Sequence, residues 1–289
     1  MNRRSFFGTA MAASALGLPG LAGAETLHNT LPRAAPIHVG AVGLRARDAE
    51  RLADWYVQTL GLREIDRAGS TIRLGAEAPL LSITEIAGLR RAGAREAGLY
   101  HTAFLLPTRA DLGRWVLQAV ERDLGVDGAA DHLVSEAIYM TDPEGNGVEL
   151  YADRPQQDWR WTDGKVEMAS VPFDAQAVVA AAGPAPARWT GAPAGTMIGH
   201  VHLKVGNAAD AAVWWQERLG FDEVRRRDGA VFLSTGGYHH HVAVNEWVSA
   251  GAGRRPAQES GLDFVELRRS TPAAPAEFTD DWGTVIRVL

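Results

Sequence analysis

The chain has 289 residues, 46% of them apolar and 22% charged, with a formal charge of −6 and no cysteine. That length and apolar share suffice for one or two buried cores, and the acidic balance without a basic stripe argues against nucleic acid as a partner. The missing thiols exclude disulfide frameworks, zinc fingers and iron–sulfur clusters, so any transition metal must be held by histidine and carboxylate.

Residues 1–24 place Arg3 and Arg4 before Ser5, Phe6 and Phe7, then an apolar run, then the small-residue stretch Ala22-Gly23-Ala24. This segment resembles a twin-arginine export signal, which implies a periplasmic protein exported folded, with any cofactor inserted beforehand. Beyond it no apolar run is long enough to span a bilayer, so no stable membrane association is expected once the signal is cleaved.

A first region, 37–153, holds two units. "LRARDAERLADWYVQTLGL" (44–62) reads as a strand and an amphipathic helix, opened by Asp48 as N-cap and closed by Gly61. The second unit opens with "LYHTAFLLP" (99–107) and continues through a helix with Leu112, Trp115, Val116, Ala119 and Val120 on one face. The strands "SEAIYMTD" and "GVELYAD" follow. The stretch 154–196 contains Pro155, Pro172, Pro184, Pro186 and Pro193 with Trp159, Trp161 and Trp189. It reads as an ordered crossing, because three tryptophans are costly to leave in water.

A second region, 197–289, repeats the pattern. "LKVGNAADAAVWWQERLGF" (203–221) matches the first unit through Leu44/Leu203, Trp55/Trp214, Tyr56/Trp215, Leu60/Leu219 and Gly61/Gly220, with Asn207 as N-cap. The strands "AVFLSTGG" and "HVAVNEW" come next. The fourth unit begins at "LDFVELRRS" (262–270) and is truncated, since the interval from Asp263 to Asp280 is too short for the helix and strand that lie between His101 and Asp142.

The repeats differ where chemistry would sit. "TDPEGNGVELY" (141–151) returns as "TDDWGTVIRVL" (279–289), so Glu149 is answered by Arg287. "DPEGNG" lacks the carboxylate spacing of a calcium loop and reads as a tight hairpin connection. His200 is answered by Ala41 and His101 by Asp263. A packing role does not require such an asymmetry, whereas a metal ligand does. His202 shares the strand face of His200, and only the repeat alignment selects between them. Over His239–His241, alternation puts the outer two opposite His240, leaving at least one to face solvent or pack structurally.

Four βαβββ-like units with the last eroded, together with "GLYHTAFLLP", "DHLVSEAIYMTDPEGNGVELYADRP" and "MIGHVHLKV...GGYHHHVAVN", resemble the vicinal oxygen chelate superfamily and, within it, the catechol 2,3-dioxygenase or CatE-like branch. The resemblance covers nearly the whole chain after the leader. It implies an α+β fold of repeated modules that pair into half-open barrels. It also implies a facial metal triad of His101, Glu149 and His200 holding Fe(II), with Mn(II) left open. By the same match His240 is the acid–base residue, Tyr139 binds a substrate oxygen and His132 contacts substrate. The implied partners are a small aromatic diol and O2, and assembly of several copies is left open. Two other readings share the scaffold. One is a glyoxalase-like lyase or isomerase, whose usual further carboxylate is missing at Ala41 and Arg287. The other is a metal-free binder of aromatic or drug-like ligands, which has no need of the triad. One complete site can form only if unit two pairs with unit three, within a chain or between copies, because sequential pairing would split the ligands.

Overall fold

The computed structural model describes residues 30–289, so the export signal expected over residues 1–24 lies outside the described residues. After a short helix α1 (Thr30–Ala34), module one comprises β1 (Ile37–Ala46), α2 (Ala49–Leu60), β2 (Arg63–Ala68), β3 (Thr71–Gly75) and β4 (Pro79–Glu85). Module two comprises β5 (Gly98–Leu105), α3 (Arg109–Glu121), β6 (Gly128–Asp131), β7 (Ser135–Thr141) and β8 (Gly147–Asp153). The crossing holds the two-stranded hairpin β9 (Trp161–Thr162) and β10 (Lys165–Val166), then α4 (Ala175–Ala181). Module three is β11 (Met197–Lys204), α5 (Ala208–Leu219), β12 (Asp222–Arg227), β13 (Ala230–Ser234) and β14 (Val242–Asn245). Module four keeps only strands: β15 (Gly261–Arg269), β16 (Ala276–Thr279) and β17 (Val285–Val288).

The helix ends form as their residues dictate. Asp48 and Asn207 accept backbone N–H donors of the first turns of α2 and α5. Gly61 and Gly220 close the same helices at φ of 73° and 69°, a left-handed conformation that favours glycine. The paired residues Leu44 and Leu203, Tyr56 and Trp215, and Leu60 and Leu219 are all buried. The apolar face of α3 holds with one exception: Val120, in the last turn before α3 ends at Glu121, is exposed.

The sheets join the modules in nested order. β16-β17-β15-β1-β4-β3-β2 unites modules one and four, and β12-β13-β14-β11-β5-β8-β7-β6 unites modules two and three. The division into regions 37–153 and 197–289 therefore does not coincide with the sheets: each region gives one module to each sheet. The reason lies in the central pairings, where β1 runs antiparallel to β15 and β5 antiparallel to β11. Both halves contribute to one core, with Tyr56 of α2 donating its hydroxyl to Asp142 across 3.0 Å and Trp115 of α3 donating to the Thr59 carbonyl across 2.7 Å.

The crossing is packed, as its tryptophans suggest, though unevenly. Trp159 is buried and donates to the Arg154 carbonyl, while Trp161 sits exposed at the edge strand of its hairpin. Helix α4 lies against α3 so closely that a Cβ on Gly113 would collide with the Val178 carbonyl.

Candidate active site

Three neighbouring strands, β11, β5 and β8, carry the site. Ala103 of β5 stands opposite His200 of β11 on one side and Glu149 of β8 on the other. Its methyl group is too small to separate them, so the two longer side chains meet above it. His101, two residues back on the same face of β5, completes the group. Glu149 Oε2 lies 3.1 Å from His101 Nε2 and 3.3 Å from His200 Nε2, and one donor atom from each residue falls within a 4.8 Å cluster. All three residues are buried.

The donor set suits a divalent cation. Ligands held at right angles about 2.1 Å from an ion are about 3 Å apart, which matches the separations of Glu149 from the two imidazoles. Burial disfavours charge on Glu149, but the His200 and His101 imidazoles outweigh it and hold the carboxyl well below the usual range. Burial pushes His200 down to about 4 against the pull of Glu149. Near neutral pH the cluster thus presents one carboxylate and a neutral His200, buried together with His101. His202 does not join them: its Nε2 accepts from the Asn245 side-chain amide at 2.9 Å, and its ring packs edge-on against His101.

The other histidines and Tyr139 surround the same space. The His239–His241 triple lies in the connection before β14, outside the strand, so alternation does not govern it, and none of the three faces solvent. His240 lines the cavity with its ring centroid 4.1 Å from that of His200. Burial, reinforced by His200, pushes it well below the usual histidine value and leaves it neutral. His132 donates from Nδ1 to the Ala169 carbonyl at 2.8 Å, so its Nε2 accepts the Tyr139 hydroxyl proton at 2.6 Å. Burial and the Glu149 carboxylate push the Tyr139 phenol well above its usual value, and it stays protonated. The cavity measures about 570 Å³, with Met168, Phe232, Trp247 and Val248 in its wall.

The equivalent place in the other sheet is filled. Register sets Phe264, not Asp263, at the position of His101: Phe264 opposes Gly43 and Val285 as His101 opposes His202 and Gly147. Asp263 corresponds instead to Tyr100, one residue earlier. The Phe264 ring occupies the space beside Gly43, and the Arg287 guanidinium lies 3.9 Å from its centroid. A cation on a ring thus stands where the second sheet has a carboxylate among imidazoles.

Four participants escaped the sequence reading of roles: Tyr151, Asp153, Tyr238 and His239. Tyr151 and Asp153 alternate with Glu149 along β8, so period-two spacing already placed both on the site's face. Tyr238 carries no comparable signal, and His239 is marked only as a member of the His239–His241 triple.

The family model described as Glyoxalase/Bleomycin resistance protein/Dioxygenase superfamily matches residues 38–150. The chain is 36% identical over 236 residues to catechol-2,3-dioxygenase of Bacillus subtilis (strain 168), covering 80% of this chain and 82% of that protein. It is 27% identical over 114 residues to biphenyl-2,3-diol 1,2-dioxygenase 3 of Rhodococcus globerulus, covering 38% and 60%. A solved structure from Bacillus subtilis superposes with a TM-score of 0.57 over 87% of this chain and 84% of that one, at 11% identity, a likeness of fold alone.

Proposed function

The chain belongs to the catechol-2,3-dioxygenase family within the glyoxalase, bleomycin-resistance and dioxygenase superfamily and is a dioxygenase; from that premise we propose that it opens the ring of a catechol-like diol with O2, using iron(II) held by His101, Glu149 and His200. The observation that carries this reading is the buried convergence of those three donors beside His240 and Tyr139 in one cavity. When bound, the ion would supply adjacent coordination positions for both diol oxygens and for O2. The chain's own residues do the rest. Neutral His240 accepts a diol proton at an imidazole nitrogen and later returns it. Tyr139, whose hydroxyl donates its hydrogen bond to His132, offers an oxygen lone pair to a substrate hydroxyl. The apolar side chains of the wall take the ring. A cavity of about 150 Å³ already holds a benzene, so 570 Å³ leaves room for ring substituents. The Arg3–Arg4 leader supports a periplasmic place of action.

Anaerobic loading with Fe(II), followed by a diol and air, tests the reading by oxygen uptake. Uptake should fall by more than about 100-fold in His101→Ala, Glu149→Gln and His200→Ala alike. Stoichiometric iron without oxygen uptake across a panel of diols would move the lyase or isomerase reading ahead, and absence of metal binding would leave a ligand-sequestering protein.

A further inference from the structure

Behind the cavity, two hydrogen-bond chains run from the site's histidines into the protein and end on one oxygen. On the first, His240 Nδ1 lies 2.8 Å from His239 Nδ1, and His239 Nε2 lies 2.8 Å from Asp153 Oδ1. On the second, His200 Nδ1 lies 3.3 Å from the Tyr151 hydroxyl, which lies 2.7 Å from the Tyr238 hydroxyl, which donates to the same Asp153 Oδ1 at 3.3 Å. His239, Tyr151 and Tyr238 are fully buried, and Asp153 is buried with them at the end of β8. Gly199 makes room for the second chain, since a Cβ there would overlap the Tyr151 hydroxyl.

Donor accounting gives each chain one direction when His239 is neutral and an ion sits at His200 Nε2. A carboxylate only accepts, so His239 must present Nε2–H to Asp153, and in its neutral form that ring is bare at Nδ1. His240 must therefore donate from Nδ1, which leaves its Nε2 bare. Likewise Tyr238 spends its proton on Asp153, Tyr151 spends its own on Tyr238, and His200 donates from Nδ1 to Tyr151. That direction holds for His200 with an ion at the metal position, where Nε2 must be bare; without one, Glu149 Oε2 at 3.3 Å only accepts and competes for a hydrogen on Nε2.

We infer that Asp153 is a positioning residue for the reaction: by accepting from His239 it sets His240 in the tautomer whose Nε2 can take the substrate proton, and by accepting from Tyr238 it aims Nε2 of His200 at the metal position. When a diol O–H bond breaks and its proton forms an N–H bond at His240 Nε2, the ring becomes an imidazolium. Its Nδ1–H still points through His239 toward the Asp153 carboxylate, whose negative charge offsets the new positive one. A carboxylate orienting a histidine that does the proton transfer is the logic of a hydrolase triad, here lengthened by one imidazole and shared with a metal ligand.

The inference rests on the proposed ring-cleavage chemistry, but its first test does not. Two-dimensional 15N–1H spectra of the imidazoles, recorded on the full chain without metal and with Zn(II) as a diamagnetic occupant, read which nitrogen of each ring carries hydrogen. His239 should be protonated at Nε2 and His240 at Nδ1 in both samples, and His200 at Nδ1 in the zinc sample. In Asp153→Asn the side-chain amide can donate to His239 Nε2, so the His239 and His240 tautomers should reverse. Tyr238→Phe should disturb His200 and leave His240 unchanged. In the iron-loaded enzyme Asp153→Asn should lower kcat about 10–100-fold, with KM within about twofold of wild type. A hydrogen on His240 Nε2 in the wild type, or an unchanged tautomer in Asp153→Asn, would overturn the inference. The stated tautomers in a protein that consumes no oxygen would instead sink the ring-cleavage reading and leave the network standing.

Discussion

At the scale of single residues, the metal-site candidates were legible because duplication supplies an internal control. A module that keeps His200 and Glu149 beside one that carries Ala41 and Arg287 exposes which side chains packing does not need. The control failed by one position at His101, since a one-residue slip turns a strand residue to the opposite face and only pairing register reveals it. His241 illustrates a buried role that no motif announces. It is fully buried, and its Nδ1 accepts from the Thr235 backbone N–H. Burial, followed by the nearby His239 and His38, pushes it down to about 3. Its folded value lies below the unfolded value near 6.5, so the unfolded chain takes up a proton first as pH falls. The stability associated with keeping this ring neutral is present above about pH 6.5 and is lost progressively as pH falls toward 3. Urea unfolding from pH 7 to pH 4 should show the wild type losing up to about 3 kcal/mol more than His241→Gln. Parallel pH curves for the two proteins would show that His241 is no more sensitive than its replacement.

At the scale of elements, strands, helices and caps followed from periodicity and end signals, whereas the connections held the surprises. The repeated turn is a case in point. Asp142 Oδ1 accepts from the backbone N–H groups of Glu144 and Asn146, and Asp280 Oδ1 accepts from those of Trp282 and Thr284. The turn is therefore copied faithfully, although the strand after it has changed its chemistry. Asp142 does more than its counterpart: its second oxygen accepts from the Asn146 amide and from Tyr56 of α2. Removing it strands four buried donors and cuts a link between the two sheets' modules. With about 1–3 kcal/mol for each buried group left unsatisfied, Asp142→Ala should lose at least about 3 kcal/mol in urea titration, and Asp280→Ala distinctly less. Equal losses would show that the Tyr56 link contributes nothing measurable. The His239–His241 triple misled the alternation argument for a related reason: an irregular connection aims its side chains by local backbone geometry, which no period encodes.

At the scale of the whole molecule, the sequence stated the condition for a complete site without deciding how it is met. Either order of pairing leaves each module its own apolar faces, so hydrophobic pattern alone does not choose between them. What chooses is the long packed crossing from Arg154 to Thr196, which carries module three back to β5, while the shortened module four closes on β1. The consequence is that β5, β8 and β11 of one chain hold all three metal-site residues, and no second copy need supply any. Mixing tests this directly. If the site were shared between copies, an inactive His200→Ala chain and an inactive Glu149→Gln chain would together form some complete sites, because each lacks a residue from a different module. Co-expressed from one cell and loaded with iron(II), the pair should show no oxygen uptake above that of either variant alone, and metal titration of the wild type should saturate at one ion per chain. Restored uptake in the mixture would mean that modules two and three meet between chains, and that the central β5–β11 pairing is exchanged on assembly.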